Sequence, residues 1–177
     1  TAGSSSFPSV SGTSFSAPAV SGVVALMLGA NPGLGYRDVQ SILAYSAKKT
    51  DAGNNGWADN GAGDWNGGGL HFSHDYGFGL VDATAAVRLA ETWVKQSTIA
   101  NLVTESAASA VNQAIPDNTG GSLVDTVTIG AGVKIEHVEV DVSIDHGDIG
   151  DLLIYLTSPD GTTAVLADRP GTSKTDL

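Results

Sequence analysis

The chain has 177 residues, 41% of them hydrophobic and 15% charged, with 23 glycines and no cysteine. That composition excludes a disordered chain, a disulfide framework and any cysteine-based metal site. The net charge of -11 is lopsided, with seven acids against five bases up to residue 100 and twelve against three beyond it. This makes the second half a poor partner for nucleic acid or an anionic membrane.

The chain opens on Thr1 and closes in a loop-like run, Gly171-Thr172-Ser173-Lys174-Thr175-Asp176-Leu177, which reads as a fragment cut at both ends. A glycine- and serine-rich stretch precedes Gly12-Thr13-Ser14. From Ala17 to Ala30 nearly every residue is apolar or small. This run is short of the roughly 20 residues a membrane span needs and contains Pro18 and Gly22, so a buried helix is predicted, starting near Ser14 and stopped at Asn31-Pro32-Gly33. Pro18 then falls among the early donors that lack an intrahelical partner.

A second helix is predicted over about 36–47, with Val39, Ile42 and Leu43 on one face and Lys48 and Lys49 at its end. Residues 51–77 hold eight glycines, Trp57 and Trp65, and read as a long loop pinned by its tryptophans. A third helix follows over about 82–95, with Asp82 as its N-cap and Ala86, Leu89, Ala90 and Trp93 on one face.

Residues 99–111 are small and polar and form a linker. The apolar period then changes to two. Val138, Val140, Val142 and Ile144 alternate with Glu139, Asp141 and Ser143, and Leu152, Ile154 and Leu156 with Leu153 and Tyr155. Ser158-Pro159-Asp160-Gly161 has turn chemistry. Antiparallel strands over 122–168 are therefore predicted, with the Val138–Ile144 alternation facing inward.

A serine hydroxyl becomes a strong nucleophile only beside a base, with donors to hold the oxyanion. Ser14 after a glycine turn, at the start of a helix, has the exposure and the dipole for that work. By residue type alone, Ser or Thr before a helix more often caps it. The longer string Gly12-Thr13-Ser14-Phe15-Ser16-Ala17-Pro18 resembles the serine motif of the subtilases, Gly-Thr-Ser-x-x-x-Pro. Asn31-Pro32-Gly33-Leu34, Arg37-Asp38-Val39-Gln40, Asn60-Gly61-Ala62-Gly63 and His74-Asp75-Tyr76-Gly77-Phe78-Gly79-Leu80-Val81-Asp82-Ala83 resemble the kexin and proprotein convertase branch. Ile115-Pro116-Asp117-Asn118, His146-Gly147-Asp148-Ile149-Gly150-Asp151-Leu152 and Tyr155-Leu156-Thr157-Ser158-Pro159-Asp160-Gly161-Thr162 resemble the P domain of that branch.

The resemblance implies an α/β fold over residues 1–98, the C-terminal part of a subtilisin-like three-layer domain. After the 99–111 linker, it implies an incomplete all-β sandwich, a jelly-roll-like P domain over 112–177 that packs on the protease domain. It implies a secreted or cell-surface serine endopeptidase acting on peptide or protein substrates, with Ser14 as nucleophile and Thr13 assisting at the oxyanion. The triad His and Asp and the oxyanion Asn are expected upstream, as are the implied Ca2+ sites, whose residues stay unknown. No nucleic acid and no membrane span are expected.

All four histidines, His71, His74, His137 and His146, follow Ser14. A Ser-before-His order belongs to the α/β-hydrolases, whose Gly-x-Ser-x-Gly elbow does not surround Ser14. His71 and His74 therefore read as structural loop residues, and His146 as ordering the acidic turn. Asp145, Asp148 and Asp151 could offer oxygens to a hard cation, but the spacing is not that of an EF-hand and reads first as a capped acidic turn. Two rival readings are a degenerate, non-catalytic protease scaffold and a β-sandwich binding module. The latter needs an exposed aromatic row, and Tyr155 alone represents it in the strand region.

Overall fold

The computed structural model describes residues 12–59, 70–116, 120–130, 132 and 135–171. The chain divides into two compact units, Thr1–Asn101 and Leu102–Leu177.

The first unit is helical. Helix α1 spans Thr13–Ala30, α2 Tyr36–Ser46 and α3 Ala83–Glu91. Their shared core is Val23, Met27, Leu34, Ile42, Ala86 and Ala90, with Val39, Leu43, Val87 and Trp93 packed around it. Val23 and Met27 stand four apart and form one stripe of α1. Ala86 and Ala90 form the matching stripe on α3, where the small side chains let the helices close on each other.

The prediction that α1 is buried needs correcting. Only Val23 and Met27 are buried along its length, while Phe15 and Leu26 are each 59% exposed. Among the described elements α3 is the one that packs extensively on α1, so a single stripe is covered. The helix also starts at Thr13, so Pro18 lies inside it, past the unpartnered first turn. Having no N–H, Pro18 cannot bond the Ser14 carbonyl four residues back. The 18-residue helix, with mean hydropathy 1.5, meets the length and composition of a membrane span, a test that core helices and signal sequences also pass.

The second helix is as predicted to within a residue. The third ends at Glu91 rather than near 95. Its Asp82 side chain accepts from the Ala85 N–H at 3.0 Å, as a cap should. The glycine-rich stretch is not structureless. Strands β1 (Trp57–Asp59) and β2 (His71–Ser73) pair antiparallel, with Trp57 opposite Ser73 and Asp59 opposite His71. Trp57 stacks on Tyr76 at 5.7 Å between ring centroids, so one tryptophan does anchor this segment; Trp65 and Asn60-Gly61-Ala62-Gly63 lie outside the described residues. The chain returns to α2 through a bridge in which Lys48 and Leu80 exchange backbone hydrogen bonds of 2.9 and 2.8 Å. Gly79 makes that approach feasible: its φ is 108°, and a Cβ there would sit 2.2 Å from the Lys48 carbonyl oxygen.

In the second unit, strands β3 (Leu153–Thr157) and β4 (Thr163–Asp168) form an antiparallel hairpin with an irregularity between Ile154 and Tyr155. Its turn is the predicted Ser158–Gly161, closed by Gly161 N–H to Ser158 O at 2.9 Å and by Asp160 Oδ1 accepting from Thr162 N–H at 2.9 Å. The Ser158 hydroxyl first, and the Thr162 N–H with it, donate to the Asp160 carboxyl and hold it below its ordinary value. The predicted sandwich is absent among the described residues. Val138, Val140 and Val142 are 47%, 44% and 38% exposed rather than inward-facing. Among the described residues of 122–168 only β3 and β4 are strands, so the Val138–Ile144 alternation has no ladder to fix its faces, and a two-stranded hairpin is too narrow to make a covered core. Leu152 is buried and Ile154 and Leu156 half-buried, so that alternation points as predicted.

Candidate active site

Ser14 is the second residue of α1 and is exposed. Gly12 is the N-cap, at φ 153° and ψ 152°, a backbone geometry that L side chains rarely adopt. No side chain caps the helix. Ser14 therefore does not do what serines at helix starts usually do, which is to bond the backbone as an N-cap. Among the described residues its hydroxyl meets no hydrogen-bond partner, nor does that of Thr13. Phe15 N–H turns back to Gly12 O at 3.0 Å, leaving the Thr13 and Ser14 N–H groups at the positive end of the helix dipole. A hydroxyl and backbone donors facing outward from one helix end can approach a carbonyl carbon and its oxygen together.

Neither His71 nor His74 shows a catalytic pairing. His71 lies edge-on to Trp57 at 5.3 Å and His74 edge-on to Phe72 at 5.4 Å. Among the described residues both rings are held by packing, and His71 Nε2 is buried without a hydrogen-bond partner. His146 Nδ1 lies 2.7 Å from the Asp148 carbonyl oxygen and 3.2 Å from the Asp148 N–H, so this ring does order the acidic turn. Within that turn Asp148 Oδ1 accepts from Gly150 N–H at 2.8 Å. No group of three or more His, Cys, Asp or Glu is gathered among the described residues.

Asp38 has no role assigned by the sequence reading beyond its place in Arg37-Asp38-Val39-Gln40. It is 1% exposed at the start of α2. Its Oδ2 accepts from the Gly35 N–H at 2.8 Å and from the Ser97 N–H at 2.7 Å. Burial pushes its carboxyl up, but donors led by the Ser97 N–H, with the Trp93 side chain and the Gly35 N–H behind it, outweigh this and leave it below the ordinary carboxylate value. The Gly-x-x-Asp spacing before an apolar helix was the available signal for the local half of this arrangement. The contact with Ser97, 59 residues away, had none.

Residues 1–79 match the subtilase family, and residues 135–177 match the proprotein convertase P-domain. A PC3-like endoprotease variant B of Hydra vulgaris is 39% identical over 158 residues, covering 85% of this chain and 21% of that protein. Furin of Homo sapiens is 36% identical over 171 residues, covering 90% of this chain and 20% of that protein. Proprotein convertase subtilisin/kexin type 5 of Rattus norvegicus is 38% identical over 166 residues, covering 89% of this chain and 9% of that protein. The chain belongs to the subtilases. Within them it carries the C-terminal catalytic part and the P-domain of the proprotein convertases, and it spans about a fifth or less of the length of these relatives.

Proposed function

We propose that the protein is a serine endopeptidase of the subtilisin/kexin type, secreted or at the cell surface, in which Ser14 is the nucleophile. The observation that carries this reading is Ser14 itself: exposed at the second position of α1, after a glycine cap, inside the segment that matches the subtilases. Ser14 Oγ attacks the peptide carbonyl. The developing oxyanion lies toward the Ser14 N–H, with Thr13 beside it. Subtilases carry Asp, then His, then Ser along the chain, so the His that takes and returns the proton, and the Asp that orients it, belong before Thr1. Water then hydrolyses the acyl-enzyme.

In this reading residues 1–98 close a subtilisin-like domain, with α1 as a core helix rather than a membrane span. Residues 99–111 are the linker, and 112–177 belong to a β-sandwich P domain that braces the protease. Calcium enters from the family likeness alone, with its sites outside this chain. The 177-residue chain by itself should be inactive. In the complete protein, Ser14→Ala should lower turnover of a peptide substrate by more than about a thousandfold, with its melting curve unchanged. Normal turnover in that variant would leave Ser14 a surface residue and favour the scaffold reading.

A further inference from the structure

The stretch after α3 has no α-helix or strand, yet it is tied closely to the corner between α1 and α2. Asn31 Nδ2 donates to the carbonyls of Ala90 and Trp93, each at 2.9 Å. Asp38 Oδ2 accepts from Ser97 N–H. Arg37 Nη2 donates to Thr98 O at 3.1 Å and to Asn101 Oδ1 at 2.6 Å. Asn101 closes a local turn, donating to Gln96 O at 2.7 Å and accepting from Thr98 N–H at 2.9 Å. Backbone meets backbone at Gly35, where a Cβ would stand 2.0 Å from the Ser97 carbonyl oxygen.

The pattern stops at Asn101. From Leu102 to Pro116 no described residue takes part in a hydrogen bond, and all but Val111 and Ile115 are exposed. The charge map makes this boundary readable, because Lys95 is the last basic residue before Lys134.

We propose that residues 93–101 are a strap pinned to the α1–α2 corner by Asn31, Arg37 and Asp38, and that a protease-sensitive segment begins immediately after it, at Leu102. Asp38 is the pin that matters most, since one buried carboxylate oxygen serves both sides of the joint. Proteolysis of native chains requires local opening, so cleavage rates report which side of Asn101 is tied down.

The test is limited digestion of the complete folded protein with mapping of the cuts by mass. An elastase-type enzyme, which accepts small residues, should cut within 102–116 and spare 93–101. Trypsin should leave the Lys95–Gln96 bond intact. In Asp38→Asn, trypsin should cut after Lys95 about tenfold faster, while the bonds after Arg37 and Arg88 stay protected. Gly35→Ala, which pushes on Ser97 without removing the carboxylate, should expose the same bond. The proposal fails if Lys95 is cut equally fast with and without these changes. It fails also if Arg37 and Arg88 open together with Lys95, since Asp38 would then hold the whole unit rather than the strap.

Discussion

The first unit closes a core, with Met27, Ile42, Ala86 and Ala90 fully buried among three helices, although Phe15 and Leu26 stay exposed. In the second, the described residues bury only Ile149 and Leu152, and the valines at 138, 140 and 142 stay open to solvent. Helices α2 and α3 in the first unit, and residues 138–144 and 152–156 in the second, carry apolar periodicity. A helix satisfies its backbone within its own segment and needs one neighbour to cover its stripe, and α1, α2 and α3 supply that to each other. A strand needs partners for its hydrogen bonds as well as a second layer for its apolar face. Periodicity therefore carries further as a forecast of structure in the first unit than in the second.

Substitutions can break or sharpen this contrast. The largest expected effect is at the helical core. Ile42→Ala should lower stability by about 2–5 kcal/mol, because a fully buried side chain leaves a cavity between α2 and its neighbours. Denaturant titration of the 177-residue chain measures it, and a loss below about 0.5 kcal/mol would mean the helices do not form a core. Next, Gly79→Ala forces a Cβ against the Lys48 carbonyl at a positive φ. It should cost about 1–3 kcal/mol and loosen the Lys48–Leu80 bridge, visible as faster amide exchange at both residues.

The three helices and the hairpin turn were legible in the sequence, and the departures have identifiable causes. Trp93 keeps the helical spacing of α3, but Asn31 draws the Ala90 and Trp93 carbonyls to itself from 59 and 62 residues away. No local pattern reports such a contact. The β1–β2 hairpin was hidden because its strands are three residues each within a glycine-rich stretch. The alternation at Val138–Ile144 predicted an inward-facing strand, whereas those residues form no strand and Val138, Val140 and Val142 are exposed. At the candidate site, Gly12 and Ser14 were legible because a glycine-requiring backbone and an exposed hydroxyl are properties of a short string. Asp38 was not, because half of its hydrogen bonding lies across the fold.

Acid should act on the first unit through Asp38. Its folded pKa lies below the ordinary value, so its contribution is fully present above the ordinary carboxylate pKa and disappears as pH falls through the depressed one. Asp82, lowered by the Lys48 ammonium that pairs with it at 2.5 Å, acts in the same direction with less weight because it is more exposed. Stability measured from neutral pH down into the acid range should therefore fall at the acid end, and Asp38→Asn should flatten that fall. An unchanged profile would mean Asp38 gains nothing from its charge. The smallest effect belongs to the second unit. Val140→Asp places a charge on an exposed position and should change the stability of the 177-residue chain by no more than about 0.5 kcal/mol. Unfolding of the second unit would show that Val140 is covered after all.

The most direct measurement is covalent labelling of the complete protein with a serine-directed phosphonate, followed by peptide mapping. The label should be stoichiometric, should sit on Ser14, and should vanish in Ser14→Ala while the fold persists. An active preparation whose label sits on another residue would contradict the assignment of Ser14 as the nucleophile.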